Sequence, residues 1–346
     1  MNKIETGTKL DFSDVLIRPK RSTINSRSEV SVTREFKFKY STISWTGVPI
    51  ISANMDTTGT FEVYNVLRQH RIITAMNKFY TPDDYKNAFD KYSLDPNFFM
   101  VSTGISDSSI EYLKSVFDVV DCNWICVDIA NGYITKLVEF TAHVRKLFPN
   151  KIIVAGNVVT REMVEELILN GMVDVVKIGI GPGSVCTTRT KTGVGMPQLS
   201  AIIECADAAH GVGGLIIGDG GITCPGDMSK AFGGGADLVM VGGAFAGHDE
   251  NPGDIIEVNG EKFKSFYGMS SKLAMNIHYG KMASYRASEG REIKIKYKGS
   301  LENTVLDYLG GIRSTCAYIN AISIKQMAKC TTFVQVNNQV NTSLIK

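Results

Sequence analysis

A cysteine lies in the middle of a glycine-rich segment that reads Gly179-Ile180-Gly181-Pro182-Gly183-Ser184-Val185-Cys186-Thr187-Thr188-Arg189. Such a loop can hold a side chain at the surface, where a thiolate acts as a nucleophile. Most free cysteines are buried small residues, so the residue type leaves a structural and a catalytic role open. The Thr188 hydroxyl could reach the same reacting atom, and neighbouring carbonyls could ligate a monovalent cation.

Two glycine pairs, Gly220-Gly221 and Gly242-Gly243, each follow an apolar run. At the mouth of an α/β barrel, backbone amides in such loops commonly hold a phosphate, although a tight turn needs the same residues. Asp219 is either an acceptor for ribose hydroxyls or an exposed turn residue. Glu289 could activate the Thr188 hydroxyl or move a proton. By residue type alone, Glu289 fits a solvated surface better.

Eight apolar runs that end in Gly, Asn or Asp recur along the chain, and amphipathic segments separate them. Nearly continuous runs of Val, Ile, Ala and Met are typical of parallel strands that are covered on both faces. The predicted strands are 48–56, 72–78, 98–104, 124–132, 151–159, 174–181, 214–222 and 236–244. Four of the intervening segments predict helices, namely 60–70, 107–117, 134–148 and 160–169, the last with a cap at Thr160.

Six of the seven steps between strand starts are 22–27 residues long, the length of one βα unit. Eight such units predict a closed TIM (β/α)8 barrel. An open doubly wound sheet would need a glycine fingerprint after its first strand, where the chain has Asn54-Met55-Asp56-Thr57-Thr58-Gly59. The remaining step, between the sixth and seventh strands, is 40 residues long. It places the extended loop 179–199 at the C-terminal mouth, where barrels carry their chemistry.

The chain is therefore expected to form a single barrel domain over residues 1–346. An N-terminal extension covers 1–47, the eight strands lie within 48–250, and a hairpin, a flap and a C-terminal segment occupy 251–346. Asn259-Gly260 predicts the turn of the hairpin. Residues 292–298 alternate as a half-exposed flap strand, and 30–40 alternate like a strand pair.

Composition narrows the class of protein. The 346 residues carry a net charge of +2, with 44% hydrophobic and 21% charged residues, which disfavours a nucleic-acid partner. No apolar stretch predicts a membrane span or a signal sequence. Seven scattered cysteines indicate a reducing, cytoplasmic compartment. Cys122 and Cys126 are expected to be core residues, since no His or Cys cluster completes a zinc site.

The cysteine loop resembles the active-site loop of the IMP dehydrogenase/GMP reductase family. The resemblance continues through further motifs over nearly the whole chain. These motifs are Thr192-Gly193-Val194-Gly195, Pro197-Gln198-Leu199-Ser200, Asn54-Met55-Asp56-Thr57, Ala155-Gly156-Asn157-Val158-Val159-Thr160, Asp219-Gly220-Gly221 and Tyr267-Gly268-Met269-Ser270-Ser271. The reductase branch is favoured because no regulatory insertion separates Lys78 from Phe98. The starting block 11–22 and the segments 286–290 and 309–314 favour it as well.

The resemblance implies NADPH-dependent conversion of GMP to IMP and ammonia, a step of purine salvage. Cys186 would attack purine C2 to give a thioimidate that accepts hydride, while Thr188 and Glu289 move the proton for the leaving ammonia. The runner-up is an IMP dehydrogenase without its regulatory insert. A non-catalytic purine-nucleotide sensor is a third hypothesis, which the joint presence of Cys186, Thr188 and Glu289 disfavours.

The resemblance also implies binding residues. Those implied for GMP are Ser184, Asp219, Gly220, Gly221, Gly242, Gly243, Gly268, Met269, Ser270, Arg286, Ala287, Ser288 and Gly290. Those implied for NADPH are Lys78, Asp128, Ile129, Ala130, Ile180, Gly181, Met269 and Tyr285. Ser26, Arg27 and Ser314 would reach the cofactor of a neighbouring subunit in a homotetramer. Potassium would bind the carbonyls of Gly181, Gly183 and Cys186. The chain departs from the family at Asn77 and Phe79, where histidines are usual.

Overall fold

Eight parallel strands close into a barrel in the computed structural model, which describes residues 4–281 and 287–337. The strands are Ile50–Ser52 (β1), Ile73–Ala75 (β2), Phe99–Thr103 (β3), Trp124–Asp128 (β4), Ile152–Val158 (β5), Val175–Ile178 (β6), Leu215–Asp219 (β7) and Leu238–Val241 (β8). β8 pairs with β1 and β6 pairs with β7, so no edge stays open. The predicted TIM barrel is confirmed, and each strand lies within its predicted run.

An outer ring of helices covers the strands, which explains why these strands are apolar on both faces. The ring helices are Phe61–Leu67 (α1), Pro82–Tyr92 (α2), Ser109–Phe117 (α3), Thr135–Leu147 (α4), Arg161–Leu169 (α5), Gln198–Gly211 (α6), Pro225–Gly233 (α7) and Leu301–Ile319 (α8). α8 packs against α7 and α1 and completes the ring. Among the described residues, no helix is both long and apolar enough to cross a bilayer.

Side chains cap the first turns of α1, α2 and α8, whereas the other five ring helices start without a side-chain cap. Thr81 and Asp84 form a reciprocal capping box at the start of α2, with Pro82 in the first turn. Thr160 precedes α5 as predicted, but its side chain makes no capping bond. The Tyr133 hydroxyl donates to Thr160 Oγ1 at 3.2 Å. The prediction of a cap at Thr160 is therefore wrong in its chemistry, because a distant hydroxyl engages the side chain.

The remaining elements decorate the barrel. Three strands, Ile256–Val258, Glu261–Tyr267 and Glu292–Lys296, form an antiparallel sheet inserted between β8 and α8. The predicted hairpin at Asn259-Gly260 and the predicted flap strand are confirmed. The other short elements are the strands Val15–Ile17, Arg34–Lys37, Ser44–Gly47 and Phe333–Gln335, the helices Thr188–Thr192, Lys272–Tyr279 and Met327–Cys330, and the 3-10 turns Phe12–Asp14, Arg27–Glu29, Arg68–His70, Gly243–Phe245 and Ile324–Gln326.

A hairpin of Arg34–Lys37 and Ser44–Gly47 covers the N-terminal end of the barrel. The Trp45 ring packs edge-on against Trp124, the first residue of β4, with ring centroids 5.7 Å apart. The prediction of a strand pair within 30–40 is wrong, since that segment supplies one strand only and its partner lies beyond it. With one end closed by aromatic rings, the polar ends of the strands face the opposite mouth.

Candidate active site

Cys186 lies in the loop after β6, at the C-terminal mouth. Its amide donates to the Gly183 carbonyl at 3.0 Å, which tightens the loop around the thiol. Cys186 is half-buried, whereas Cys122, Cys126, Cys205 and Cys316 are buried. Burial raises the pKa of each of these four thiols to about 12, so they stay protonated and inert. Cys122 and Cys126 are therefore core residues, as expected.

A chain of hydrogen bonds runs from the thiol to a carboxylate. The Cys186 thiol donates to Thr188 Oγ1 at 3.3 Å, and the Thr188 hydroxyl donates to Glu289 Oε2 at 2.7 Å. Glu289 follows in the chain 101 residues after Thr188. Because a hydroxyl both accepts and donates, this arrangement can carry a proton between sulfur and carboxylate in either direction. The three predicted catalytic residues are thus in one hydrogen-bonded chain.

Backbone contacts fix the segment that carries Glu289 onto the cysteine loop. The Thr187 amide donates to the Glu289 carbonyl at 2.8 Å, and the Thr187 hydroxyl donates to the Ser288 carbonyl at 3.2 Å. Gly290 is buried and forms a bridge with Cys186. A Cβ on Gly290 would lie 2.8 Å from the Ser271 amide nitrogen, so only glycine allows this approach. Ala287 is exposed beside this contact.

The loops after β6, β7 and β8 converge next to the cysteine. A Cβ on Gly243 would lie 2.9 Å from Ser184 Oγ, and a Cβ on Gly220 would lie 3.0 Å from the Pro182 ring. Gly220 and Gly221 adopt φ of +91° and +81°, a conformation that favours glycine. These loops leave backbone and a serine hydroxyl facing one another, an arrangement suited to an anion.

The predicted nucleotide contacts from the inserted sheet lie on the same side. A Cβ on Gly268 would lie 3.1 Å from the Val185 carbonyl oxygen, so this loop touches the cysteine loop. Gly242 faces the Met55 sulfur in the same way, at 3.1 Å. Met269 Sδ accepts from the Asp56 amide at 3.3 Å, and Ser270 adjoins it, half-buried. The predicted residues Tyr285 and Arg286 lie outside the described residues.

A polar cavity of about 410 Å³ opens beside β2, β3 and β4. Lys78, Ser106 and Ile129 line it, and Asp128 and Ala130 flank Ile129 at the end of β4. The other predicted cofactor residues, Ile180 and Gly181, lie in the cysteine loop close after the end of β6 at Ile178. The cavity has the polar lining that a cofactor with phosphates and hydroxyls requires.

Phe79 stacks on His278. Histidine is usual at the position of Phe79 in the family that the sequence resembles. The ring centroids of Phe79 and His278 are 3.4 Å apart and the rings are within 6° of parallel. His278 Nε2 lies 2.7 Å from Asp56 Oδ2, and the Tyr267 hydroxyl donates to the same oxygen at 3.1 Å. The aromatic replacement thus joins a cluster that ties helix Lys272–Tyr279 to the loops after β1 and β2.

Three predicted cofactor residues lie away from this mouth. Ser26 and Arg27 are exposed, and the turn Arg27–Glu29 contacts α8. Ser314 lies on α8, where its hydroxyl donates to the Gly310 carbonyl at 3.0 Å. Thr315, the next residue, helps to line a second cavity of about 340 Å³ on the outside of the barrel. Within one chain, these residues do not join the cysteine cluster.

Two charged groups that hold the site together were missed by sequence reasoning. Arg189 donates to Asp11 Oδ2 at 3.1 Å and to the Met196 carbonyl at 2.5 Å, and so anchors the cysteine loop. Its partner lies 178 residues away, and no local pattern signals that pairing. Lys177 lies inside β6 and is 1% exposed. A lysine within the apolar run Val175-Val176-Lys177-Ile178 was a signal that could have been used.

The predicted potassium ligands are backbone carbonyls of the cysteine loop. The Gly183 carbonyl already accepts from the Cys186 amide, and a carbonyl oxygen has a second lone pair with which it can ligate a cation. Gly181 has φ of +85°. Over residues 4–281 and 287–337, no group of three or more His, Cys, Asp or Glu side chains could hold a metal ion. The potassium site stays a prediction.

Comparisons with known proteins identify the family of this chain. Residues 9–342 match the model of the IMP dehydrogenase / GMP reductase domain. The chain is 57% identical over 343 residues to a GMP reductase of Vibrio cholerae serotype O1 (strain ATCC 39541), covering 98% of each chain. It is 56% identical over 341 residues to GMP reductases of Shigella boydii serotype 18 and Escherichia coli O157:H7, again covering 98% of each chain.

Proposed function

The chain belongs to the IMP dehydrogenase/GMP reductase family of oxidoreductases, and from this premise we propose that it reduces GMP to IMP with NADPH and releases ammonia. The observation that carries the proposal is the hydrogen-bonded chain from Cys186 through Thr188 to Glu289. GMP reductases that cover 98% of the chain at 56–57% identity support it.

The proton path follows from the direction of the hydrogen bonds. As the Cys186 sulfur forms its bond to purine C2, the thiol proton passes through the Thr188 hydroxyl to Glu289. When the C2–N bond breaks, the same path returns a proton to the departing ammonia. The product of this half-reaction is a thioimidate, in which C2 is electrophilic.

NADPH, when bound, supplies the hydride that replaces the amino group. Lys78, which lines the polar cavity, and Asp128, at the end of β4, would hold this cofactor. A lysine ammonium is a suitable partner for the extra phosphate of this cofactor. Once C2 carries the new hydrogen, the bond to the Cys186 sulfur would break, IMP would leave, and the thiolate would take up a proton. Overall, GMP, NADPH and one proton give IMP, NADP⁺ and ammonia.

The nucleotide occupies the other half of the mouth in this proposal. Its phosphate lies among Ser184 and the glycine pairs after β7 and β8, where close backbone contacts were found. Asp219, at the end of β7, accepts from the ribose hydroxyls. The segments 268–270 and 287–290 cover the base beside Cys186.

A paired activity assay tests the proposal. Purified protein with GMP and NADPH should lose absorbance at the reduced-nicotinamide band and release one ammonia per NADPH oxidised. Reduction of NAD⁺ with IMP, without the first reaction, would instead identify a dehydrogenase. GMP binding without any turnover would identify a nucleotide sensor. Mass spectrometry of the protein quenched with GMP alone should show a purine adduct on the peptide that contains Cys186.

We propose further that the enzyme is a cytoplasmic homotetramer and that potassium supports turnover. Ser26, Arg27 and Ser314, which lie outside the mouth, then complete the cofactor site of a neighbouring subunit. Sedimentation should give the tetramer mass, and Arg27→Ala should raise the KM for NADPH without changing that for GMP. Exchange of potassium for lithium should lower kcat, since lithium is too small for a ring of loop carbonyls.

A further inference from the structure

Lys177 is a buried charge in the barrel interior. Barrel interiors are packed mainly with Val, Ile and Leu, and removal of an ammonium group from water costs several kcal/mol unless it is paired. Lys177 follows Val175 and Val176 in β6 and is 1% exposed. Its partners must therefore lie inside the barrel.

Both partners are carboxylates at strand ends. Lys177 Nζ lies 2.5 Å from Asp128 Oδ1, at the end of β4, and 3.3 Å from Asp219 Oδ2, at the end of β7. Burial alone would lower the pKa of Lys177, but the two carboxylates outweigh it and raise that pKa above its ordinary value. Burial would likewise raise the pKa of Asp128, but Lys177 holds it below its ordinary range. Lys177 and Asp128 are therefore both charged at neutral pH.

Each carboxylate also has one amide partner of its own. Asn54 Nδ2 donates to Asp128 Oδ2 at 3.1 Å, and Asn157 Nδ2 donates to Asp219 Oδ2 at 2.8 Å. Lys177 is the group common to both. Within residues 4–281 and 287–337, no group donates a hydrogen bond to Asp219 Oδ1, so that oxygen is available to a ligand.

The backbone beside Lys177 is adapted to its side chain. Gly156 in β5 pairs with Lys177, and a Cβ on Gly156 would lie 2.7 Å from Lys177 Cβ. Real Cβ atoms essentially never approach so closely. Glycine at this position therefore gives Lys177 the space to reach across the interior.

We propose that Lys177 is a positioning residue that fixes Asp128 and Asp219 together, so that one buried cation sets the geometry of the cofactor half and the nucleotide half of the mouth. The inference rests on the proposed function, which assigns Asp128 to NADPH and Asp219 to GMP. Lys177 touches neither ligand. It holds Asp128 Oδ1 and Asp219 Oδ2, which leaves Asp219 Oδ1 available to a ligand, while Asn54 holds Asp128 Oδ2.

Separate ligand titrations test this role. GMP binding without cofactor and NADPH binding without nucleotide are measured by calorimetry for the wild type, Lys177→Met, Asn54→Ala and Asn157→Ala. Loss of a charge-assisted hydrogen bond weakens binding by about tenfold to a hundredfold. We expect Lys177→Met to weaken both ligands by this factor. Asn54→Ala should weaken NADPH alone, and Asn157→Ala should weaken GMP alone.

The outcomes separate the two proposals. If Lys177→Met binds either ligand as the wild type does, the inference is wrong while the proposed function stands. If both asparagine variants weaken both ligands equally, the effect is general loosening and the inference is also wrong. A wild type that binds no GMP would refute the proposed function and the inference together.

A second variant covers the case in which Lys177→Met does not fold. Lys177→Met combined with Asp128→Asn keeps the wild-type net charge of the three groups, since it removes one positive and one negative charge. Asp219 still loses its cation in this variant. We expect GMP binding to weaken by about tenfold or more although Asp128 does not belong to the nucleotide half. Unchanged GMP binding would overturn the inference.

Discussion

Replacement of Glu289 by glutamine tests the proton path most directly. The amide keeps the size of the side chain, but it cannot take up the proton that arrives from Cys186 through Thr188. In the structure, the Thr188 hydroxyl donates to this carboxylate at 2.7 Å, a distance typical of a charge-assisted bond. We therefore expect the thioimidate to form slowly, with GMP binding retained.

The size of the effect follows from that bond. Hydrogen bonds to charged groups contribute about 1.5–3 kcal/mol, and about 1.4 kcal/mol is a factor of ten in rate. The glutamine amide oxygen still accepts from the Thr188 hydroxyl, so only the charge of this bond is lost, and the bond accounts for a decrease in kcat of at most roughly tenfold to 150-fold. Loss of general acid–base catalysis places the decrease at the upper end, since that term alone accounts for roughly a hundredfold or more.

Rapid quenching separates the two half-reactions. Ammonia released in a single turnover without NADPH reports formation of the adduct, and NADPH absorbance reports the hydride step. Glu292→Gln is the matched control, because the exposed Glu292 carboxylate accepts from the Ser265 hydroxyl at the same 2.7 Å but lies in the outer strand. A wild-type rate of ammonia release in Glu289→Gln would remove this residue from the proton path.

Three further predictions test other parts of the molecule. Cys186→Ala should abolish turnover but keep GMP binding in titration calorimetry. Cys224→Ala, which replaces an exposed cysteine, is the control and should behave as the wild type. Turnover by Cys186→Ala would refute covalent catalysis. Gly181→Ala should lower kcat/KM by about tenfold or more, because its Cβ would lie 2.5 Å from the side chain of Arg189, which anchors the loop. Gly193→Ala is the control: Gly193 also has a positive φ, but nothing lies within 4 Å of its Cβ, so this variant should stay active. Burial lowers the pKa of His248 to about 4, so below about pH 6.5 the unfolded chain binds a proton that the folded chain does not. The free energy of unfolding therefore falls as the pH drops toward 4, by about 3 kcal/mol at most. His248→Gln should reduce this pH dependence in urea unfolding, and an unchanged pH dependence would contradict the assignment.

The sequence alone predicted the barrel, which the structure confirms, and the loop to which we assign the proposed chemistry. Parallel strands buried on both faces must be continuously apolar, so their number and spacing were readable without structure. The spacing of these strands also includes one step of 40 residues, which located the loop that carries Cys186. The pair Gly220-Gly221 was also readable, because both residues have a positive φ, which favours glycine.

Only the tertiary structure decided which distant groups meet. Glu289 by its residue type fitted a surface charge, yet the fold brings it to Thr188 across 101 residues. Arg189 contacts Asp11 across 178 residues, and Lys177 in β6 contacts one carboxylate at the end of β4 and another at the end of β7. Such pairings depend on the closure of the barrel and on long-range packing. The sequence pattern around a charged residue does not predict which distant residue it will pair with.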